Sequence, residues 1–325
     1  MPVEIAAASA VYGAVFALFR VLWLITAAVF LYDLAVSTGK FAVMRASIAS
    51  LSDDRRLQAV LVAFCFGAFI EGAAGFGAPV AISAAFLVGL GFRPFQAAML
   101  CLIANTAPVA WGALGTPVRT LAQITALNVE ALSATAGRIL PPVSLIIPFW
   151  LVATMSGLGG MLAVAPALLV VGGVFAGTQW AWSNYVGFEL VDIISSVASL
   201  FAGAVMLKFW KPAEVWRFAD DQPGPTAAVF DRGVLTRRQV AHAWAPFALL
   251  TIAVLIWGVP KIDRLGTIAV KDWLDRHTSW KAPMPWLHQA VVKGPEVGGP
   301  VAPRLEAAEK AILEVVPVSS TGTAV

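Results

Sequence analysis

Charge is what this sequence has least of. Of its 325 residues, 13% are Asp, Glu, Lys or Arg, about half the share of a soluble domain. That shortage excludes an ordinary soluble globule and points to an all-α polytopic membrane protein. The 59% hydrophobic content and the mean hydropathy of +0.81 agree. Cysteine is scarce too. Cys65 and Cys101 both fall in apolar segments, which excludes a disulfide framework and leaves two small buried residues. Only three histidines occur, His242, His277 and His288, all outside the central apolar segments. The sequence brings together no paired acids, no metal-spaced ligands and no nucleophile with a base. A membrane-embedded enzyme would therefore lack its machinery, and no cofactor or metal is expected. The N-terminal MPVEIAAASA has no basic region before its apolar run, so it does not read as a cleaved signal peptide.

The few charges are segregated. Between Leu57 and Leu207 stand only Glu71, Arg93, Arg119, Glu130, Arg138, Glu189 and Asp192. Apart from Glu4, Arg20 and Asp33, the rest crowd into 40–56, 208–238 and 261–314, so a formal charge of +3 reflects basic loops beside apolar spans and implies no nucleic-acid partner. Spans of about 20 apolar residues are expected at 7–36, 138–156, 161–180, 190–209 and 243–259. The segments 57–91 and 95–127 differ, because Gly and Pro interrupt both in the middle, at EGAAGFGAP (71–79) and NTAPVAWGALGTP (105–117). Broken backbone survives at membrane depth only where protein or a water-filled cavity covers it.

The basic stretches 40–56 and 208–238 should both be cytoplasmic by the positive-inside rule, which requires an even number of crossings between them. The count closes if 57–91 is a re-entrant hairpin that turns within 71–79 and 95–127 is a broken helix that crosses once. On this reading residues 1–260 are a transmembrane domain and 261–325 an extracytoplasmic loop. Within 40–56 a short surface helix would bury Phe41, Met44, Ile48 and Leu51 on one face, and Ser52 would cap the next helix. Glu130, Glu189 and Asp192 lie near expected span ends, where solvation would account for them. His277 and His288 read as surface residues.

The breaks hold the candidate chemistry. Pro79 and Pro117 would each open a half-helix, Thr116 capping the second. Half-helix N-termini carry partial positive charge and free N–H donors, a site for a small anion of the kind that recurs in secondary transporters. Glu71 lies in the same place, and desolvation there favours a neutral carboxyl, which suits it to proton coupling; the bland alternative is that it only caps the break. Asn105, Thr106 and Thr116 are the polar groups best placed to bind a hydroxyl or carboxylate. Gly72, Gly75 and Gly77 would shape the site, or merely permit close packing.

The run FGAFIEGAAGFGAPVAISAAFLVGLGFRPFQAAMLCLIANTAPVAWGALGTPV (66–118) resembles the core signature of the bacterial lactate permease family. AGRILPPVSLIIPFWLV (136–152), TQWAWSNYVGFELVDIISSVASL (178–200) and the terminal SSTGTAV are also similar to it. The resemblance implies proton-coupled uptake of L-lactate, glycolate and related 2-hydroxy monocarboxylates across the bacterial inner membrane. It also implies an ion-transporter-like fold with inverted repeats. Family members are longer, so the chain is expected to be a truncated or fragment form holding one repeat, with a span missing after residue 325. Its partner would then be the missing half or a homo-oligomer. A related transporter with other carboxylate or ion cargo, and a non-transporting membrane fragment, stand as alternatives.

Overall fold

The computed structural model describes residues 3–75, 77–125, 127–218, 236–258, 277–288 and 312–315. Those residues are helical apart from connecting turns and one pair of short strands. The chain opens with α1 (Val3–Phe16), a π-helical stretch Ala17–Leu22 and α2 (Trp23–Ser37) in unbroken succession. Left-handed Gly39 then turns it into α3 (Lys40–Ala49). One face of α3 buries Phe41, Met44 and Ile48, as its pattern requires.

Next comes a continuous helix of 20 residues, Arg55–Ala74, made of α4 (Arg55–Ala59), a π-helical stretch Val60–Phe66 and α5 (Gly67–Ala74). Beyond its first turn, and apart from Glu71, it is apolar on every side, and a helix of that kind belongs in the centre of a fold. Its apolar window is accordingly buried throughout. Phe64 meets Phe175 with ring centroids 4.8 Å apart, and Phe66 meets Phe86 at 5.4 Å and Phe247 at 5.7 Å.

After a break at 75–77 the chain doubles back as α6 (Ala78–Gly89). The return is complete: Arg55 Nη1 donates to the Leu90 carbonyl at 2.6 Å. α7 (Pro94–Ala104) and the segment Val109–Ala122 form a pair bent by 73°. That segment comprises a short 3₁₀ turn (Val109–Trp111) and the start of α8 (Gly112–Thr125). Three further helices complete the bundle: α9 (Val129–Ala163), α10 (Ala165–Tyr185) and α11 (Val191–Phe209). α12 (Arg237–Gly258) closes it against α3, where Trp244 Nε1 donates to Ser47 Oγ at 3.1 Å. Among the described residues, three helices are long and apolar enough to cross a membrane: Arg55–Ala74, Val129–Ala163 and Val191–Phe209. The bent pair makes a fourth if it counts as one span.

Several sequence expectations need correction. α9 starts nine residues before 138 because Asn128 caps it, its Oδ1 accepting from the Ala131 N–H at 2.8 Å. The division expected at 156–161 lies instead at Val164, although Gly157, with φ +71°, kinks α9. Ser52 is not the helix cap. Asp54 is, accepting from the Arg56 N–H at 2.9 Å. Residues 261–325 are not all loop, since Trp280–Pro283 pairs antiparallel with Ile312–Val315; most of the stretch lies outside the described residues. His277 is exposed, but His288 is only half so, with Nδ1 buried.

One end of the bundle is tied by a polar clasp. Asp54 and Arg56 are buried and pair through Nη2 and Oδ2 at 2.5 Å. Arg56 also donates to the carbonyls of Gly160 and Glu214, at 2.7 and 3.1 Å. The Trp216 N–H reaches Asp54 Oδ2 at 3.0 Å, and the Arg55 N–H reaches the Trp216 carbonyl at 3.1 Å. The charged stretches around 54 and 214 thus meet at one end of the molecule.

Candidate substrate site

Three interruptions of the helical pattern converge on the α5 C-terminus. The first is the 75–77 break. Gly75 has φ +63° and ψ −161°, a combination essentially restricted to glycine. The second is the opening of α8, where Ala113, Leu114 and Gly115 all have positive φ. A left-handed turn costs a non-glycine residue about 1–2 kcal/mol, so surrounding packing must hold Ala113 and Leu114 there. It does: both are buried. A Cβ added to Gly75 would lie 2.7 Å from the Ala113 Cβ. The two breaks therefore touch, and glycine is what lets them. The third interruption is the turn before α11. A Cβ on Gly115 would meet the Phe188 ring at 2.6 Å, and one on Gly72 would meet the Ile193 N at 2.9 Å and the Asp192 Cβ at 3.0 Å.

Glu71 points into this junction. It is buried, and its Oε1 lies 2.4 Å from where a Cβ on Gly112 would be. Gly112 thus leaves the space that the carboxyl occupies. The Asn105 side chain hydrogen-bonds the Glu71 carboxyl. Glu71 Oε2 and Asn105 Oδ1 are buried without a hydrogen-bond partner. Gln179 supports the second break from behind. Its Nε2 donates to the Ala107 carbonyl at 3.1 Å, and its Oε1 accepts from Ser144 Oγ at 2.8 Å. Gln179 and Ser144 are fully buried, and they satisfy a carbonyl that the bend would otherwise leave unpaired.

Of the residues singled out in the sequence, Glu71, Gly72, Gly75 and Asn105 are drawn together here. Gly77 is exposed, with φ +82° and open space around it. Thr106 is also exposed. Thr116 does not cap by accepting an N–H. Its hydroxyl donates to the Ala113 carbonyl at 2.6 Å and helps hold the left-handed turn. Pro79 is buried in the first turn of α6, whereas Pro117 is exposed.

Sequence reasoning passed over Gly112 and Gln179, which gave a signal as a glycine and an amide in apolar surroundings. The account of the acids near span ends needs correction. Glu130 is exposed, but Glu189 is buried and pairs with Arg119 at 3.3 Å. Asp192 is fully buried, with neither carboxyl oxygen hydrogen-bonded. Among the described residues no cluster of His, Cys, Asp and Glu is suited to a metal ion.

The comparisons with known proteins fit a membrane bundle of this kind. The family model for L-lactate permease matches residues 1–325. The chain is 46% identical over 299 residues to an L-lactate permease of Salmonella typhimurium, covering 91% of this chain and 53% of that protein. It is 42% identical over 344 residues to an L-lactate permease of Bacillus subtilis, covering 100% and 58%. It is 42% identical over 338 residues to a glycolate permease of Escherichia coli, covering 100% and 58%. The chain thus spans little more than half the length of these relatives. No solved structure matches it. From a family model that matches end to end and relatives this similar, the chain belongs to the L-lactate permease family, whose members are transporters and not enzymes.

Proposed function

We propose that this chain carries the substrate and proton site of a secondary transporter for L-lactate and related short 2-hydroxy monocarboxylates such as glycolate, in the bacterial inner membrane. The observation that carries the reading is the buried Glu71 carboxyl at the junction of two broken helices, facing Gly112 and Asn105. Chain breaks supply N–H donors and helix-end dipoles for an anion. Asn105 supplies an amide suited to a hydroxyl or carboxylate. Glu71 supplies a group that takes up a proton as the anion arrives. A second negative charge beside it favours that uptake, and by linkage the proton favours the anion. The relatives' printed names, lactate and glycolate permease, support the substrate class.

In the bilayer, the doubled-back segment 57–91 acts as a re-entrant hairpin and the bent pair of α7 and α8 crosses once. The clasp joining residues 54–56 to 214–216 supports placing both basic stretches on one face, the cytoplasmic one. Within the longer transporter the chain contributes one repeat. Counterflow with radiolabelled lactate, in membranes carrying the chain within full-length family context, tests the substrate class. Unlabelled lactate and glycolate are expected to drive exchange and succinate to fail. Exchange driven by succinate but not by lactate would overturn the reading.

A further inference from the structure

A 2-hydroxy monocarboxylate reaches its transporter as an anion, and the helices that meet at the junction offer it little positive charge. α5 and α7 carry no cation, and α11 has only Lys208, in its last turn and so at the end away from the junction. α8 carries Arg119. Printed contacts tie this arginine to the breaks one step at a time. Its guanidinium lies over the Phe188 ring, 5.2 Å from the centroid. Phe188 packs on Gly115, where an added Cβ would lie 2.6 Å from the ring and 2.7 Å from the Phe188 carbonyl oxygen. Gly115 belongs to the left-handed turn whose Ala113 touches Gly75. Arg119 therefore stands four residues, about one helical turn, beyond the break.

Beside Arg119 the structure already holds a carboxylate. Glu189 Oε1 accepts from Arg119 Nη2 at 3.3 Å. That contact is single and long, since charge-assisted bonds of this kind are commonly about 2.7–2.9 Å and arginine often grips a carboxylate with two donors. A guanidinium presents five N–H donors in a planar fork. Of the Arg119 side chain 39% is exposed, against 9% for Glu189, so the fork keeps an open side while Glu189 lies deeper. Regular helix resumes after Gly115, and Arg119 falls in its first turn, where helix-end N–H groups also favour an anion. The other cations between 57 and 207 serve elsewhere. Arg138, on α9, donates from Nε to Asn184 Oδ1 at 3.0 Å, and Arg93 precedes α7 at the end away from the bend.

We propose that Arg119 receives the carboxylate of the incoming substrate on the open side of its fork, and that Glu189, by competing for the same guanidinium, sets how tightly it is held. The inference rests on the transport reading for the identity of the anion. On the topology proposed above, α8 leads from the break toward the extracytoplasmic face, the side from which uptake starts. Arg119 is then an entry residue one turn above the breaks. Glu189 keeps its hold weak enough for the anion to move on to them. The carboxylate of Glu189 shows in the fold itself the chemistry that the guanidinium accepts.

The test is exchange of radiolabelled lactate over a range of lactate concentrations, in membranes carrying the chain within full-length family context. Arg119→Gln should raise the concentration for half-maximal exchange about fivefold or more, with a smaller change in maximal rate, because a charged donor is lost at a partly exposed site. Arg119→Lys should recover part of that loss, since it restores the charge without the fork. Glu189→Gln should lower the half-saturating concentration about two- to fivefold, because the competing charge is gone. The double variant should match Arg119→Gln. A merely structural ion pair predicts instead that both single variants harm exchange in the same direction, and no folding defect lowers a half-saturating concentration. An unchanged value in Arg119→Gln, or an unchanged or raised one in Glu189→Gln, would overturn the inference and leave the transport reading in place. No lactate exchange by the unsubstituted transporter would remove both.

Discussion

Replacing Gly75 by alanine tests whether the two breaks touch. The backbone at Gly75 occupies a region that L-residues scarcely visit, at a cost of about 1–3 kcal/mol for alanine. The new Cβ would lie 2.7 Å from the Ala113 Cβ and 2.9 Å from its backbone N, neither of them the tip of a flexible chain. Overpacking of that kind adds about 1–3 kcal/mol. Restricting the unfolded chain returns about 0.4–1 kcal/mol. The net loss is centred on about 3 kcal/mol. Gly77→Ala is the control. Its φ is +82° but nothing lies within 4 Å, so only a left-handed cost of about 1–2 kcal/mol applies, offset by the same gain. The two variants should differ by about 2 kcal/mol, on the order of 30-fold in the unfolded fraction. Denaturant unfolding of the detergent-solubilised chain, followed by tryptophan fluorescence, measures the difference. Adding Ala113→Gly to Gly75→Ala should recover part of the loss, because it removes the opposing Cβ and the left-handed strain at 113 together. Neighbours in contact couple by about 0.5–3 kcal/mol. Equal effects of Gly75→Ala and Gly77→Ala, with no rescue by Ala113→Gly, would refute the junction.

The clasp gives a second prediction: Asp54→Asn keeps the cap but leaves Arg56 buried without its counter-charge, and should cost about 3–5 kcal/mol in the same unfolding assay. Gln179→Leu leaves the Ala107 carbonyl and the Ser144 hydroxyl unpaired, for an expected loss of about 1–3 kcal/mol; Ser144→Ala should lose less, since the Ala107 carbonyl stays paired. For topology, Ser50→Cys and Phe95→Cys, both at exposed positions, should label from the same side of the membrane. The native thiols are buried and should stay silent. Labelling from opposite sides would rule out the hairpin.

The helix break at 75–77 could be read directly. A carboxylate and three glycines inside a run as apolar as LVAFCFGAFI have few explanations, and Pro79 marks the restart. The contact between the breaks was only half legible. GALG at 112–115 signals a turn, but Ala113 and Leu114 have no left-handed preference of their own, and only tertiary packing puts them there. Asp192 was misread for a physical reason. An acid at the first turn of a helix is ordinarily solvated and welcomed by the dipole, and nothing local shows that the first turn of α11 packs against Gly72 of α5. Ser52 lost the capping role to Asp54 for a similar reason, because distant residues Gly160, Glu214 and Trp216 fix the carboxylate and guanidinium in place.

The central claim is that Glu71 takes part in binding the proton that drives uptake. Its most direct test is lactate accumulation by membranes carrying Glu71→Gln in full-length context, under an imposed inward proton gradient, beside lactate exchange without one. The account predicts that exchange persists while accumulation and its dependence on pH are lost, because a fixed neutral side chain can accompany the anion but cannot release a proton. Accumulation of lactate against its gradient by Glu71→Gln, driven by the pH difference as in the unsubstituted transporter, would contradict it.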